Sequence, residues 1–471
     1  MGVSLVRNLL PSRHGHAPDD PEFKLPKTGS LATMIIMNLL LQVSFFIIVP
    51  SSSQYAEYLG GSASFSGIVI GIPTLFSAIT LIPLSKIDKG KYKIPLHIGC
   101  GAMVIGHLLY ALAYRAKYLY LILIGRMVMG IGFTNWMYIK RYCTDSRVVG
   151  IRQRTTLASA QVIGQGVGMS AGPFFGGLLF KLGFENSVFN GYSSIGWIMA
   201  AIFIAFWVFA AVAFEDVPDK EDSIELQPIQ AAPEDSTVIH ADGKSDTGEI
   251  STVTVPPSPL PAQTEEPLAS QLRNITLAQW GVIACMCWFA MSNFFNLGAW
   301  EANLPIMGAQ DPDLHWSPYA AGNFIALGGI TTFPFLLLNM IYARRLQDRK
   351  LLAVGAGLGM AGLLVFLSLV RSDTINYGSL FACWWAVALG FNLATTVTLS
   401  LLSKQLPNEW NSRTSIAIQC SNYTGRLTGA IWGGSGTRLG LMNYVGLEIA
   451  MVGIGAVLFT SLWRDLKAKT G

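Results

Sequence analysis

The sequence predicts an all-α polytopic membrane protein with twelve transmembrane helices in two six-helix bundles. Three observations predict it. Charged residues make up only 13% of the 471 residues and the hydrophobic set makes up 51%, about half the charge of a soluble domain. Apolar stretches of about 20 residues, enough to cross a bilayer core, recur along the whole chain. A glycine pattern in the fifth of these stretches returns in the eleventh at the same spacing.

The stretches run 31–52, 64–84, 94–113, 118–139, 155–180, 193–214, 277–298, 317–341, 351–370, 378–402, 414–436 and 442–462. With the N-terminus placed in the cytoplasm, 25 of the 32 Lys and Arg fall on the cytoplasmic side and 5 on the other. Arg126 and Arg426 lie inside spans. Cations collect on the cytoplasmic side of membrane proteins, so both termini are expected there. The net charge of +4 is this bias and does not point to nucleic acid. Residues 1–30 form a polar cytoplasmic segment without a signal-peptide core, so the first helix is its own insertion signal. Residues 215–275, rich in Asp, Glu, Ser, Pro and Thr, bury too little apolar surface to order themselves. They read as a disordered cytoplasmic linker between an N-terminal bundle, 31–214, and a C-terminal bundle, 277–462. Residues 463–471 form a cytoplasmic tail.

No nucleophile–base pair, metal-ligand spacing or phosphate loop stands in the loops, and the outer loops are too short for a catalytic domain. The chain is therefore not read as an enzyme, and no cofactor or metal is implied. The six cysteines include none in an outer loop, so no disulfide framework is expected.

The two halves resemble each other. Gly168, Gly172, Gly176 and Gly177 are repeated by Gly425, Gly429, Gly433 and Gly434 at an offset of 257. The basic loop Asp88-Lys89-Gly90-Lys91 has a counterpart in Asp348-Arg349-Lys350, at an offset of 260. Glycines four apart share a helix face and let another backbone approach, and Pro173 frees a carbonyl and bends its helix. This reads as a duplicated pivot face between two bundles; plain close packing is the alternative. Six plus six helices with a central linker is a transporter layout.

With these motifs in view, the chain resembles the major facilitator superfamily. Arg126-x3-Gly130-x-Gly132 resembles its motif B, and Gly168 to Gly177 resembles motif C, commonest among antiporters. Asp88-Lys89-Gly90 resembles a motif A lacking the residue usually found between the basic residue and the glycine. A narrower resemblance is to the group that contains the lysosomal ceroid-lipofuscinosis transporter and the plant and fungal SPX-MFS vacuolar proteins. It rests on Arg126 to Arg141 with Tyr142-Cys143-Thr144-Asp145, on Arg152-x-Arg154-Thr155, on Trp300-Glu301-Ala302-Asn303-Leu304-Pro305, and on Gly425-Arg426-Leu427-Thr428-Gly429. Ala430 stands where a proline is usual, and no SPX domain is expected ahead of the spans. The resemblance implies a secondary active transporter working by alternating access. It further implies coupling to protons and a lysosomal or vacuolar membrane. The alternatives are a plasma-membrane drug or metabolite antiporter and an uncoupled, channel-like facilitator.

An intramembrane arginine faces a cavity or a partner. Arg126 is either a substrate ligand or a structural residue bonding backbone carbonyls. Arg426 has Met169 as its counterpart in the first half, so the duplication did not supply it. Two arginines near a central cavity suggest a small anionic substrate. The expected partners are thus that solute, protons and membrane lipid. Glu301 is the expected proton-coupling carboxylate. It stands 25 residues after Thr276, about 37 Å along a helix against a core of about 30 Å, so it is expected near the outer mouth with Pro305 ending or bending the helix. Glu448 is the alternative partner for Arg426. Asp145, beside Arg147, is either part of a cytoplasmic charge lock or an ordinary surface pair. His97 and His107 share a face of the third helix, either lining the cavity or buried and hydrogen-bonded. Trp384, Trp385, Phe391 and Asn392 are either pocket lining or packing.

Overall fold

The computed structural model describes residues 24–143, 145, 147–150, 153–184, 186–217, 276–342, 347–406 and 410–467. Twelve long helices run through them: α1 (Thr28–Phe46), α2 (Ala63–Ile87), α3 (Lys93–Ala116), α4 (Leu119–Tyr142), α5 (Arg154–Leu182), α6 (Ser194–Ala213), α7 (Leu277–Gln310), α8 (Pro318–Tyr342), α9 (Asp348–Ser372), α10 (Tyr377–Gln405), α11 (Asn411–Gly434) and α12 (Leu441–Ser461). Two short helices, Ser52–Tyr58 and Gly436–Leu439, follow α1 and α11. Local chemistry starts several of them. The Ser62 hydroxyl accepts from the Phe65 N–H at 3.2 Å to open α2, and Asn376 with Ser379 forms a reciprocal cap on α10.

Ten of the twelve are long and apolar enough to cross a membrane by composition alone. α5 and α11, the two glycine helices, are not among the ten. α5 lies against α1 and α8, and α11 lies against α2, α7 and α10. A span that neighbours flank on both sides needs less lipid-compatible surface.

The glycine rows explain this packing. A Cβ at Gly168, Gly172 or Gly176 would meet the carbonyl oxygens of Leu39, Val43 and Ile47 at 3.0, 3.1 and 1.9 Å. In the second half, a Cβ at Gly425, Gly429 or Gly433 would lie 2.0–2.1 Å from the carbonyl oxygens of Met291, Phe295 and Ala299. Each row therefore seats its helix on the first helix of its own half, α5 on α1 and α11 on α7. The last glycine of each motif turns to the other half. Gly177 faces Pro318 and Tyr319 of α8, and Gly434 faces Ala63 and Gly67 of α2. The halves meet through the pairs α5–α8 and α2–α11, which exchange when the two halves are exchanged. Even the close points match. A Cβ at Gly322 would lie 2.3 Å from the Pro173 carbonyl, and one at Gly67 would lie 2.3 Å from the carbonyl of Ala430. The expected pivot face is thus divided: three glycines pack within a half and the fourth packs between halves.

A polar network ties the loops on the side where the described chain begins and ends. Asp88, 2% exposed, accepts from the Gly90 N–H at 2.7 Å, the Tyr138 hydroxyl at 2.8 Å and Arg141 at 3.4 Å. Lys89 and Gly90 both take positive φ, 48° and 80°, a turn that glycine tolerates and lysine adopts at some strain. Asp145 accepts from Tyr92 Oη at 2.8 Å and from Arg147 Nη2 at 2.7 Å, and Arg147 also donates to the Gly90 carbonyl at 2.7 Å. Asp216 accepts from the backbone N–H groups of Tyr92 and Lys93 at 2.9 and 3.1 Å, capping α3. Glu215 pairs with Lys27. Residues 215–217, read from sequence as the start of the linker, are therefore bonded to the first half; 218–275 lie outside the described residues, as do 1–23 and 468–471.

Two outcomes follow. Replacing Gly176 or Gly433 by alanine drives a Cβ into a backbone carbonyl that cannot step aside. Each change is expected to cost about 1–3 kcal/mol and to lower the melting temperature of the purified protein. Gly446→Ala, with nothing within 4 Å, leaves it unchanged; equal melting of all three would contradict the packing. At Asp145, burial alone would raise the carboxyl's pKa, but hydrogen bonds from the Arg147 side chain and backbone and from Tyr92 outweigh it and hold the group below its ordinary 3.8. Stability from a depressed carboxylate is present above the unfolded value and lost as pH falls through the folded one. Asp145→Asn is therefore expected to cost about 1.5–3 kcal/mol at pH 7, and the gap from wild type begins to narrow as pH falls toward 3.8 and closes only below the lower folded value. A gap that persists at acid pH would show that the charge is not what the loop uses.

Candidate functional site

A cavity of about 160 Å³ lies between the halves. α1 contributes Asn38, Gln42, Phe45 and Phe46, α7 contributes Phe294, Leu297 and Glu301, and α11 contributes Gln419, Asn422, Tyr423 and Arg426. Residues three and four apart lie on one helix face, so each helix presents a single stripe to the cavity. Thr74, Trp136, Lys140, Gln161, Met169 and Asn392 complete the wall. Lys140 is exposed and stands near the terminal-side end of α4. The glycine contacts of Gly67, Gly177, Gly322 and Gly434 close the opposite side.

Arg426 and Glu301 form a buried ion pair in this cavity, with side chains 8% and 1% exposed. The expectation that Glu301 sits near the outer mouth is corrected. α7 does not stop near 298 but runs on to Gln310, 34 residues in all, with Pro305 inside it, because enclosing helices let a membrane helix carry a proline. Aromatic rings complete the arginine's surroundings. Its guanidinium carbon stands 5.0 Å from the ring centroids of both Phe45 and Phe46 and 6.0 Å from that of Phe294, within cation–π range. Glu301 Oε1 has no hydrogen-bond partner among the described residues, so the carboxylate keeps one open acceptor.

Arg126 is placed differently. It is fully buried but is not part of the cavity wall. Pro73 has no N–H to offer the carbonyl of Val69, four residues earlier in α2, and Arg126 Nε donates to that oxygen at 3.1 Å. Nη2 reaches the Ile70 carbonyl at 3.4 Å and Nη1 the Ser44 carbonyl at 3.5 Å. The Ser44 hydroxyl is 2.7 Å from His107 Nε2. Phe45 lies between the two arginines, its ring centroid 5.4 Å from the Arg126 guanidinium and 5.0 Å from that of Arg426.

The remaining sequence-selected residues scatter. Glu448 is not the partner of Arg426; it accepts from Trp300 Nε1 at 3.0 Å. His97 accepts from Trp207 Nε1 at 2.8 Å, and His107 is buried against Phe203. Trp384 stacks on Trp300 and Trp385 meets Phe335, while Asn392 reaches the cavity. Asp88, Lys89 and Asp145 belong to the loop network of the first half. Sequence reasoning missed the carboxamides Asn38, Gln42, Gln161, Gln419 and Asn422. The signal was available: Asn38 with Gln42, and Gln419 with Asn422 and Arg426, repeat at three and four inside apolar spans.

Comparisons with known proteins agree with this architecture. The family described as Major Facilitator Superfamily matches residues 34–464. A Schizosaccharomyces pombe protein is 30% identical over 464 residues, spanning 96% of this chain and 85% of that one. An MFS-type transporter of the same yeast is 29% identical over 461 residues, with the same coverage. An SPX domain-containing membrane protein of Arabidopsis thaliana is 33% identical over 194 residues, 40% of this chain and 27% of the relative. Among solved structures, a bacterial homolog of the human lysosomal transporter Spinster, inward-facing and occupied, aligns with TM-score 0.65 at 13% identity over 97% of this chain and 100% of its own. A D-xylose–proton symporter aligns with TM-score 0.64 at 14% identity over 94% and 99%; at such identities these show the shared fold. The twelve-helix duplicated body, its central cavity and these matches place the chain in the major facilitator superfamily, as a multi-pass membrane transport protein.

Proposed function

We propose that the protein is a proton-coupled secondary transporter that carries a small anionic solute by alternating access across a lysosomal or vacuolar type of endomembrane. The Arg426–Glu301 pair in the central cavity carries this reading. An anion entering the cavity competes with Glu301 for the one guanidinium that faces it among the described lining residues. Once displaced, the Glu301 carboxylate is a buried charge without its partner, a state that costs about 3–5 kcal/mol. Taking up a proton removes that charge. Anion on Arg426 and proton on Glu301 then occupy the site together, which is one-for-one coupling. The carboxamides and Tyr423 supply neutral hydrogen bonds that orient the solute without adding charge.

The conformational parts are read in the same frame. The cavity is closed at the far side by the glycine contacts between α2 and α11 and between α5 and α8. Rocking of one half against the other would part those contacts and close the terminal side. The loop network of Asp88, Lys89 and Asp145 holds the basic loops of the first half as a unit during that motion. The rows Gly168–Gly172–Gly176 and Gly425–Gly429 are the surfaces on which the helices of each half stay in register, while Gly177 and Pro173, whose carbonyl lies at Gly322, belong to the contacts that part.

In proteoliposomes given an inward proton gradient, uptake of labelled phosphate and of labelled mono- and dicarboxylates identifies the solute. Arg426→Gln is expected to abolish uptake of the transported anion, at least tenfold, while the protein stays folded. Glu301→Gln is expected to retain exchange of anion for anion but to lose acceleration by the gradient. Gradient-driven uptake by Glu301→Gln would remove that residue from the coupling, and an uncoupled facilitator would show no gradient response even in wild type. Arg126 gives a contrasting result. Arg126→Gln leaves the carbonyls of Val69, Ile70 and Ser44 without their donors, so the expected loss is of monodisperse protein on gel filtration. A well-folded Arg126→Gln protein that fails only in transport would instead make Arg126 a substrate ligand.

A further inference from the structure

Glu448 has no place in the mechanism above, yet it is fully buried inside the second half, away from the cavity. Its Oε2 accepts one hydrogen bond, from Trp300 Nε1 at 3.0 Å. The hydroxyl of Tyr444, one turn earlier on α12 and 1% exposed, faces the carboxyl group as its second neutral donor, and neither it nor Oε1 meets any other group among the described residues in hydrogen-bond geometry. Among the described residues, the neighbouring elements bring no neutralising charge. α7 presents Trp300 to it, and the adjacent Glu301 points to Arg426. The charged residues of α9, Asp348, Arg349, Lys350 and Arg371, lie in its first and last turns. Arg438 of the short helix before α12 is exposed. Tyr444 is the titratable group beside it. A carboxylate buried with neutral donors alone, Trp300 and Tyr444, and no cation is costly enough that the group takes a proton instead.

We propose that Glu448 is a second proton-binding site, held as the neutral acid at pH 7 and linked through Trp300 to the ion pair in the cavity. The linkage is covalent at one step. Trp300 is fixed by Glu448, by stacking on Trp384 at 6.1 Å and by packing on Phe366 at 4.8 Å. The next residue, Glu301, is fixed by Arg426. A shift of α7 at one site therefore moves the other.

Infrared difference spectra of the full-length protein in phosphatidylcholine vesicles at pH 7 test this without any transported solute, so the result stands apart from the transport reading. Wild type minus Glu448→Gln is expected to show one carbonyl band of a protonated carboxyl group. Trp300→Phe, which removes the one N–H donor, is expected to move that band without abolishing it, and this arm decides the matter if Glu448→Gln does not fold. Glu301→Gln is expected to leave its intensity intact and shift its position. Loss of a carboxylate band in place of an acid band, or no change in Glu448→Gln or Trp300→Phe, overturns the site. A band that Glu301→Gln leaves unmoved overturns the link.

Discussion

A carboxylate and a guanidinium meet in the middle of this protein because two helix backbones touch. α11 rests on α7 through three glycines whose missing Cβ atoms leave room for the carbonyls of Met291, Phe295 and Ala299. Gly298 continues the contact from the other side, where a Cβ would lie 3.0 Å from the Arg426 carbonyl. Arg426 follows Gly425 and so leaves the helix about 100° around from the glycine row, toward the cavity. Glu301 lies two residues beyond Ala299, on the cavity stripe of Phe294 and Leu297. Any side chain in the row would part the backbones, and with them the pair. The expulsion of apolar surface from water, which drives such contacts in soluble proteins, does not act between helices in lipid; close packing does.

The two arginines show two solutions to one problem. A buried guanidinium must be neutralised or saturated with acceptors. Arg126 takes the second course: a proline frees one carbonyl, two more carbonyls and the Met129 sulfur also accept from it, and each guanidinium nitrogen has a partner. Its charge is fixed in place and closed to solutes by the helices that surround it. Arg426 is neutralised by a carboxylate and walled by rings, which attract the cation without forming bonds that an anion would have to break. In the proposed cycle the first arrangement takes no part in exchange, and the second exchanges by replacing one anion with another. Phe45 separates them, so the first half reaches the pair through an aromatic face and not through a charge.

The fold was legible from composition, charge bias and the duplicated glycines, because each reflects a constraint of the bilayer that acts on every span. The residues of the pair were also legible, since charges inside spans are few. Their pairing was not. The distance along α7 placed Glu301 near the surface only if the bilayer core began at Thr276, whereas a helix of 34 residues, about 51 Å long at 1.5 Å per residue, overreaches the core. What a proline does inside a helix depends on its neighbours, and the sequence of one helix does not contain them. The same holds for Glu448, whose acceptor role depends on Trp300 rotating toward α12. The division of the glycine motif between an intra-half row and an inter-half contact was likewise hidden, because spacing reveals a face but not what covers it.

The repeat also explains why the site occurs once. The glycine row of α5 meets the carbonyls of Leu39, Val43 and Ile47, and the row of α11 meets those of Met291, Phe295 and Ala299. Both sets advance by four, so the contacts define a register between α1 and α7. In that register Glu301 corresponds to Val49, as Arg426 corresponds to Met169. The first half thus has apolar residues at both register positions where the second has the ionic pair, and Val49 lies in the turn just past the end of α1, whereas Glu301 is inside α7. This asymmetry has a physical consequence for the proposed cycle. Both members of the ion pair belong to the second half and travel with it. The contact at the site that must slide when the halves rock is Arg426 over Phe45 and Phe46, a cation on aromatic faces, which loses little as it moves. The ion pair itself is broken only when an anion arrives to replace Glu301. Empty rocking keeps the pair closed, and occupancy opens it, so the charge chemistry answers to the solute and the rocking motion does not have to break it.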